Sequence, residues 1–395
     1  MKRKIYLCLS ILLTVTCLAG CGSEEEVPAL SLEPIQVVTS SEAQSSENAE
    51  VTETSESEAE SEESSEAEPE ISHEGMYRSE LTGLWIDEEL KDQRPVAIMV
   101  DNEITALDHY GVNSADVVYE IMNSKANGRI TRLMCVVKDW KNIEQFGSVR
   151  STRPTNIMLA AEYNAILIHD GGPFYINDYV ARAYCAHLSG GFARFTNGKA
   201  SEFTEYVTYE GYTNPNTGKS YQGLGDRIKA AKYSEEYNKY YPGEHFVFAE
   251  EEDGTDLTAA SGNLSATTVS LPFPHNKSAL YYNEDAQKYE YYVYNKAHVD
   301  PMDDNNVTMF KNLILQSCSY EVYDEHGYMI YNCIGSGNGY FITNGTAVPI
   351  KWSKKEESGI TSFTYADSGE AIVLNPGTTY ITMVPSDKWS ELVIE

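Results

Sequence analysis

The stretch FGSVRSTRP, residues 146–154, sets Arg150 and Arg153 three residues apart, where a short apolar run passes into a helical pattern. Positive charge at a helix N-terminus opposes the macrodipole, at roughly 0.3–1 kcal/mol per residue, whereas an anion is welcome there. Ser151 or Thr152 can cap the backbone, and the remaining free N–H groups then point at a bound anion. Two guanidinium groups add bidentate donors for a carboxylate or phosphate. These residue types at this spacing suggest anion binding. The anion is either an external ligand or a carboxylate of the chain itself.

Other polar groups are candidates for the same place. Asp101 and Asn102 follow the apolar run RPVAIMV, and His169 and Asp170 follow AILI. Ligands in α/β sheets favour the carboxyl ends of strands. Glu120 and Arg132 lie within or beside further apolar runs, where an unpaired charge is expensive. The candidate ligand-binding set is therefore Arg150, Arg153, Ser151, His169, Asp170, Asp101, Asn102, Glu120 and Arg132. A purely structural alternative pairs Glu120 or Asp101 with Arg132, Arg150 or Arg153 to hold the layer's geometry. His169 is the candidate general base if the site is catalytic, but the sequence alone assigns no catalytic residue.

Three other stretches mimic functional motifs. GYTNPNTGKSY (211–221) ends in GKS, yet Thr213 stands where a phosphate loop needs Gly, so it reads as a polar turn. HVDPMDDNN (298–306) is rich in oxygen ligands but lacks calcium-loop spacing and reads as a solvated loop. IGSGNGYF (334–341) sits among short β runs and reads as a strand connection with bulges. No CxxC or Cys/His cluster appears, so neither a metal nor a cofactor is expected.

The elements that must position these residues alternate from about residue 80. RPVAIMV (94–100), DVVYEI (116–121), ITRLMCVV (130–137) and AILI read as strands. TRPTNIMLAAEY (152–163) and NDYVARAYCAHLSGG (177–191) read as helices. Beyond a turn-rich acidic break, short alternating runs separated by DEHG, TNGT, ADSGE and NPGT read as antiparallel strands. The expected class is α+β: an N-terminal α/β-type layer with a mixed sheet (75–235), a linker (236–268), and a mostly antiparallel β C-terminal domain (269–395).

The first 20 residues read as a signal peptide, with Lys2, Arg3 and Lys4 ahead of an apolar run too short to span a bilayer. LAGC resembles a bacterial lipobox, which implies lipidation of Cys21 and a membrane anchor on the outer face of the cytoplasmic membrane. Residues 21–74 read as a tether: positions 22–70 hold 16 Glu and no Lys, Arg or Asp. Setting those glutamates and the three N-terminal cations aside takes the formal charge from −31 to −18 for residues 71–395. A body this acidic argues against nucleic acid as a partner. In QSCSYEVYDEHGYMIYNC, a turn at 324–327 puts Cys318 opposite Cys333. That spacing is within disulfide reach, or serves two thiols stacked on one face.

The run RPVAIMVDN…ADVVYEI…NGRITRLMCVV…GSVRSTRP…AILIHDGG resembles the YerB-like lipoproteins, a bacterial family labelled domain of unknown function 3048. HVDP…NLILQ…GSGNGYFITNGTAVPIKW…GTTYITMVP resembles that family's C-terminal domain. The resemblance implies an α/β-type domain followed by a β-rich one, and it transfers no catalytic residue. The leading expectation is a lipid-anchored protein that binds a carboxylate or phosphate of a small molecule, peptide or envelope component. The alternatives are a hydrolase or transferase using His169 with the arginines as oxyanion clamps, and a scaffold for an envelope protein through the Tyr-rich β domain. The tether expectation is checked by limited proteolysis: residues 22–70 should be cut before any site in the β domain.

Overall fold

In the computed structural model, residues 72–126, 128–251 and 253–395 are described. The expected signal peptide, Cys21 and nearly all of the tether lie outside them. Eleven strands form one sheet: β1 (Val96–Asp101), β2 (Val117–Met122), β3 (Thr131–Val137), β4 (Ile166–His169), β5 (Ala186–Ser189), β6 (Leu264–Ser265), β7 (Asn312–Cys318), β8 (Gly335–Thr343), β9 (Thr346–Lys354), β10 (Ser362–Tyr365) and β11 (Thr379–Pro385). Their spatial order is β6-β9-β8-β7-β11-β2-β3-β1-β4-β5, with β10 also on β9. The central strands β1 (VAIMVD) and β2 (VVYEIM) are buried at every position. That pattern suits central strands covered on both faces.

The halves expected as separate domains share this sheet. Strand β11, from the C-terminal half, pairs in parallel with β2 from Thr379↔Val117 to Met383↔Ile121. Its other edge pairs in parallel with β7, while β7, β8 and β9 are mutually antiparallel. Residues from Glu70 to Glu395 thus form one compact unit. A second, antiparallel sheet containing Ala279–Asn283 and Lys288–Val293 belongs to the C-terminal half.

Helix is sparse, which narrows the α+β expectation to a mostly β molecule. Helix α1 (Pro154–Glu162) forms where expected, with Pro154 in its first turn. The expected helix over 177–191 forms only as one turn, Asn177–Val180, and residues 186–189 become β5, a parallel edge strand on β4. Ala186 and Leu188 alternate toward the core there, so sheet pairing overrides the helical pattern. IGSGNGYF is an unbroken strand from Gly335 on: the space beside Gly337 is filled by the Trp352 ring, whose Nε1 donates to Ser317 O at 3.0 Å.

The 319–332 hairpin has the expected register, Tyr320↔Tyr331 with Tyr323 N donating to Tyr328 O. The Cys318–Cys333 bond is nonetheless not formed, and both are buried free thiols. The ladder closes at Ser319 and Asn332, and Cys318 is instead the last residue of β7, held opposite Pro385. Burial pushes the Cys333 thiol up to about 12 and raises Cys318 as well, which disfavours the reactive thiolate.

Every residue of α1 is buried, so its polar residues need internal partners. Glu162 accepts from Lys354 Nζ at 2.9 Å, His245 Nε2 at 2.6 Å, Thr361 N at 2.8 Å and Thr361 Oγ1 at 2.8 Å. Burial opposes its charge, but Lys354 and His245 overcome this and lower its carboxyl to about 2. A depressed carboxyl stabilises the fold above its ordinary value of 4.5, and that contribution is lost as pH falls from 4.5 toward 2. Glu162→Gln should leave Lys354 buried without its carboxylate and cost about 3–5 kcal/mol at neutral pH. Denaturant melts should also show the wild-type advantage shrinking through that acid window.

Candidate functional site

The segment carrying the arginines is threaded between the carboxyl ends of β1 and β4. Asp101 N donates to Ser148 O, Arg150 N to Met99 O, Asp170 N to Arg150 O, and Thr152 N to Gly171 O. Strand pairing places Arg132 opposite both Asp101 and Ile121, at the same level of the sheet. Three of the candidate arginines are therefore brought together, but their surroundings differ.

Arg150 is neutralised internally. Its Nε lies 2.6 Å from Asp101 Oδ2, an ion pair bent away from hydrogen-bond geometry, and its Nη2 reaches Glu202. Burial works against the Arg150 charge, and the two carboxylates outweigh it to raise the guanidinium. For this residue the structural alternative holds.

Arg132 and Arg153 form no ion pair among the described residues. Arg132 Nη1 donates to Ser151 O at 2.7 Å and lies 3.2 Å from Ser151 Oγ. Burial, then the charges of Arg153 and Arg150, push Arg132 down to about 9, against the opposing pull of Asp101 and Tyr328. Arg153 is 4% exposed, stacks 3.9 Å from the centre of the Tyr328 ring, and donates through Nη1 to Thr152 O. Its Nε has no hydrogen-bond partner among the described residues. Burial lowers its guanidinium too.

Arg153 itself is the N-cap of α1, and no side chain caps the helix, contrary to the expectation for Ser151 or Thr152. Ser151 is instead turned to Arg132, and Thr152 Oγ1 lies 3.3 Å from Arg153 O. A narrow crevice at the helix start is lined by Arg132, Arg153, Asn123, Thr155, Asn156 and Met329. Its free volume is about 10 Å³, near that of a single water. Asn123 is 7% exposed, and its Oδ1 is unpartnered. The sequence reading missed Asn123, Thr155 and Asn156, although RPTN, at the helix start, was the available signal. It also missed Tyr328 and Met329, which come from the C-terminal hairpin and carry no local signal at all.

The remaining candidates lie elsewhere. Asn102 and Glu120 join a closed polar cluster with Thr131, Ser278, Tyr291 and Tyr380. His169 is buried with both ring nitrogens engaged, Nδ1 with Gly171 O at 2.8 Å and Nε2 with His187 Nδ1 at 3.0 Å. Burial and then the His187 neighbour lower it to about 4, so it holds no ring nitrogen ready to take a proton beside the arginines. Asp170 lies 3.3 Å from Arg194, which also holds the buried Glu205. Asp300, from the acidic loop, accepts from the amides of Gly111, Asn113 and Met302, a structural role.

Family models match both halves of the chain: the N-terminal domain of a protein of unknown function, DUF3048, over residues 81–232, and its C-terminal domain over 269–381. A Bacillus subtilis protein named "Putative lipoprotein YerB" is 24% identical over 312 residues, covering 78% of this chain and 86% of the relative. A crystal structure of the YerB protein from Bacillus subtilis matches with a TM-score of 0.64 at 19% identity, covering 81% of this chain and 99% of that one. That likeness establishes the fold.

The unequal pairing of the arginines has a measurable consequence. Arg150→Ala strips Asp101 of its cation and should cost about 1–3 kcal/mol, reduced from a fully buried pair because Arg150 is partly exposed. Arg153→Gln orphans no carboxylate and should cost less than Arg150→Ala in urea melts of the two variants.

Proposed function

The chain belongs to the DUF3048 family, and we propose that it binds an anionic group, carboxylate or phosphate, at the uncapped start of α1 between Arg132 and Arg153. One observation carries the reading: a buried guanidinium with an unpartnered Nε stands at a helix N-terminus, beside a second arginine, and neither has a carboxylate partner. Helix amides and dipole favour an anion at this point, and guanidinium groups bind it through charge-assisted hydrogen bonds. An anion there would relieve the Arg132–Arg153 repulsion and supply the missing acceptor. No comparable observation favours hydrolysis or group transfer, since the His169 ring is already committed.

The setting of this activity follows from the N-terminus. LAGC ending at Cys21, together with a relative named as a lipoprotein, supports a chain tethered by lipid to the outer face of the membrane, where the anion is carried by an envelope component or a peptide.

Thermal unfolding of the full chain in sodium acetate and in sodium phosphate, at constant ionic strength, tests the site. A ligand at 100 times its Kd adds about 2.7 kcal/mol of stability. The wild type should gain stability with at least one of the two anions, and Arg132→Gln and Arg153→Gln should lose that gain while remaining folded. Absence of any gain, or a gain that persists in both variants, would refute the reading.

A further inference from the structure

Two stretches of the sequence that imitate motifs, HVDPMDDNN and GYTNPNTGKSY, meet at one groove. It consists of two adjoining hollows, of about 410 and 540 Å³, that share residues 142–145 and Met302. Each has the size of a ligand cleft. Asn113, Gln145 and Asp303 line the first, and Phe195, Tyr209, Glu210 and Tyr212 line the second. The walls are fixed from below. Asp300 accepts from the amides of Gly111 and Asn113, which ties the acidic loop to the N-terminal half. Tyr209 N donates to Ile143 O at 2.8 Å, and the Phe195 ring stacks on Tyr212 at 4.1 Å.

The lining combines apolar surface with unpaired negative charge. Met302 borders both hollows and is 39% exposed, while Phe195, Tyr209 and Tyr212 are half-buried. A thioether and aromatic rings give adaptable apolar contacts. Around them Glu144, Glu210 and Asp303 form no ion pair among the described residues. Asp303 accepts from the neutral amides of Asn113 and Asn306, and Lys141, a cation on the lining, is paired with Glu235 at 3.3 Å. Carboxylates beside ring faces attract a cation both by charge and through the ring quadrupole. We propose that this groove docks a basic segment of a partner polypeptide. A Lys or Arg is taken by Glu144, Glu210 and the Phe195–Tyr212 pair, and an apolar neighbour rests on Met302. Two hollows with a common wall suit adjacent side chains of one chain, whereas a small amine fills only one. The groove has no residue in common with the crevice at α1, and its charge is opposite.

Isothermal titration of the full chain tests this with the capped peptide acetyl-Gly-Lys-Phe-Arg-Gly-amide, which carries no carboxylate for the arginine site. Its counterpart with norleucine at both basic positions keeps the apolar bulk. Spermidine keeps the charge alone, and chitotriose is a neutral ligand for aromatic walls. At about 50 mM salt the basic peptide should bind, and more tightly than the other three, with affinity falling at about 500 mM as the charges are screened. Glu144→Gln combined with Glu210→Gln should weaken it about tenfold, and Tyr212→Ala about fivefold. Glu356→Gln combined with Glu370→Gln removes the same charge from exposed positions outside the groove and should change nothing. Glu144 and Glu210 are themselves exposed, so the deciding variant keeps its fold. Failure of the basic peptide to bind overturns the proposal. So does an equal loss in the two double variants, or binding as tight by the norleucine peptide, spermidine or chitotriose.

Discussion

Glu120 is the residue on which the architecture closes. It is fully buried in β2 and has no cation partner among the described residues. Its carboxylate is satisfied by neutral donors: Thr131 Oγ1 at 2.6 Å, Ser278 Oγ at 2.6 Å, Tyr291 OH at 2.9 Å, Tyr380 OH at 2.6 Å and, more distantly, Asn102 Nδ2 at 3.2 Å. Three of those five come from the C-terminal half. Hydrogen bonds to a charged group contribute about 1.5–3 kcal/mol each, while an unsolvated carboxylate without them is prohibitive. The cluster therefore forms all together or not at all. Thr382 Oγ1 adds a bond to the Glu120 carbonyl on the neighbouring strand. The β2–β11 register follows from this constraint, and so does the level at which Ile121, Met122 and Asn123 meet Arg132.

A second buried carboxylate acts on the helix. Glu162, at the last turn of α1, is held by Lys354 of β9 and by His245. At the first turn Thr155 takes the Tyr331 amide. Both ends of α1 are thus tied to other parts of the chain, and the crevice at its first turn has walls from two distant stretches of chain. Rigid support of this kind is what a site of one-water dimensions requires, because a displacement of an ångström would open or fill it.

The strands were legible because apolar runs bounded by turn signals need no partner to be recognised. RPVAIMV, DVVYEI, ITRLMCVV and AILI all appear within two residues of their expected limits. The convergence of Arg132, Arg150 and Arg153 was legible too, from strand ends and the helix start. Which arginine would be neutralised was not, because Glu202 lies some fifty residues away from Arg150 in sequence and no local pattern ties the two. The joining of the two halves into one sheet was equally hidden. β11 pairs with β2 across more than 250 residues, and pairing partners leave no trace in the periodicity of either strand. The segment after Val180 misled for a related reason: helical spacing in ARAYCAHL is overruled by an open edge on β4.

The charge distribution gives the arginines their meaning. A body with a formal −18 has many carboxylates that could neutralise three cations, and two of them, Asp101 and Glu202, are spent on Arg150 alone. Asp324, on the hairpin above Arg153, makes its hydrogen bonds with Tyr175 and with its own turn instead. Arg132 and Arg153 remain together with a ring face, a few carbonyl and hydroxyl oxygens, and an uncapped helix end. Packing alone would be better served by apolar residues of similar volume, since buried charge without a partner opposes folding. Local choices that conflict with stability are expected where a ligand supplies the missing term. On the anion-binding reading proposed above, an anion joining the two arginines would close the balance at this point.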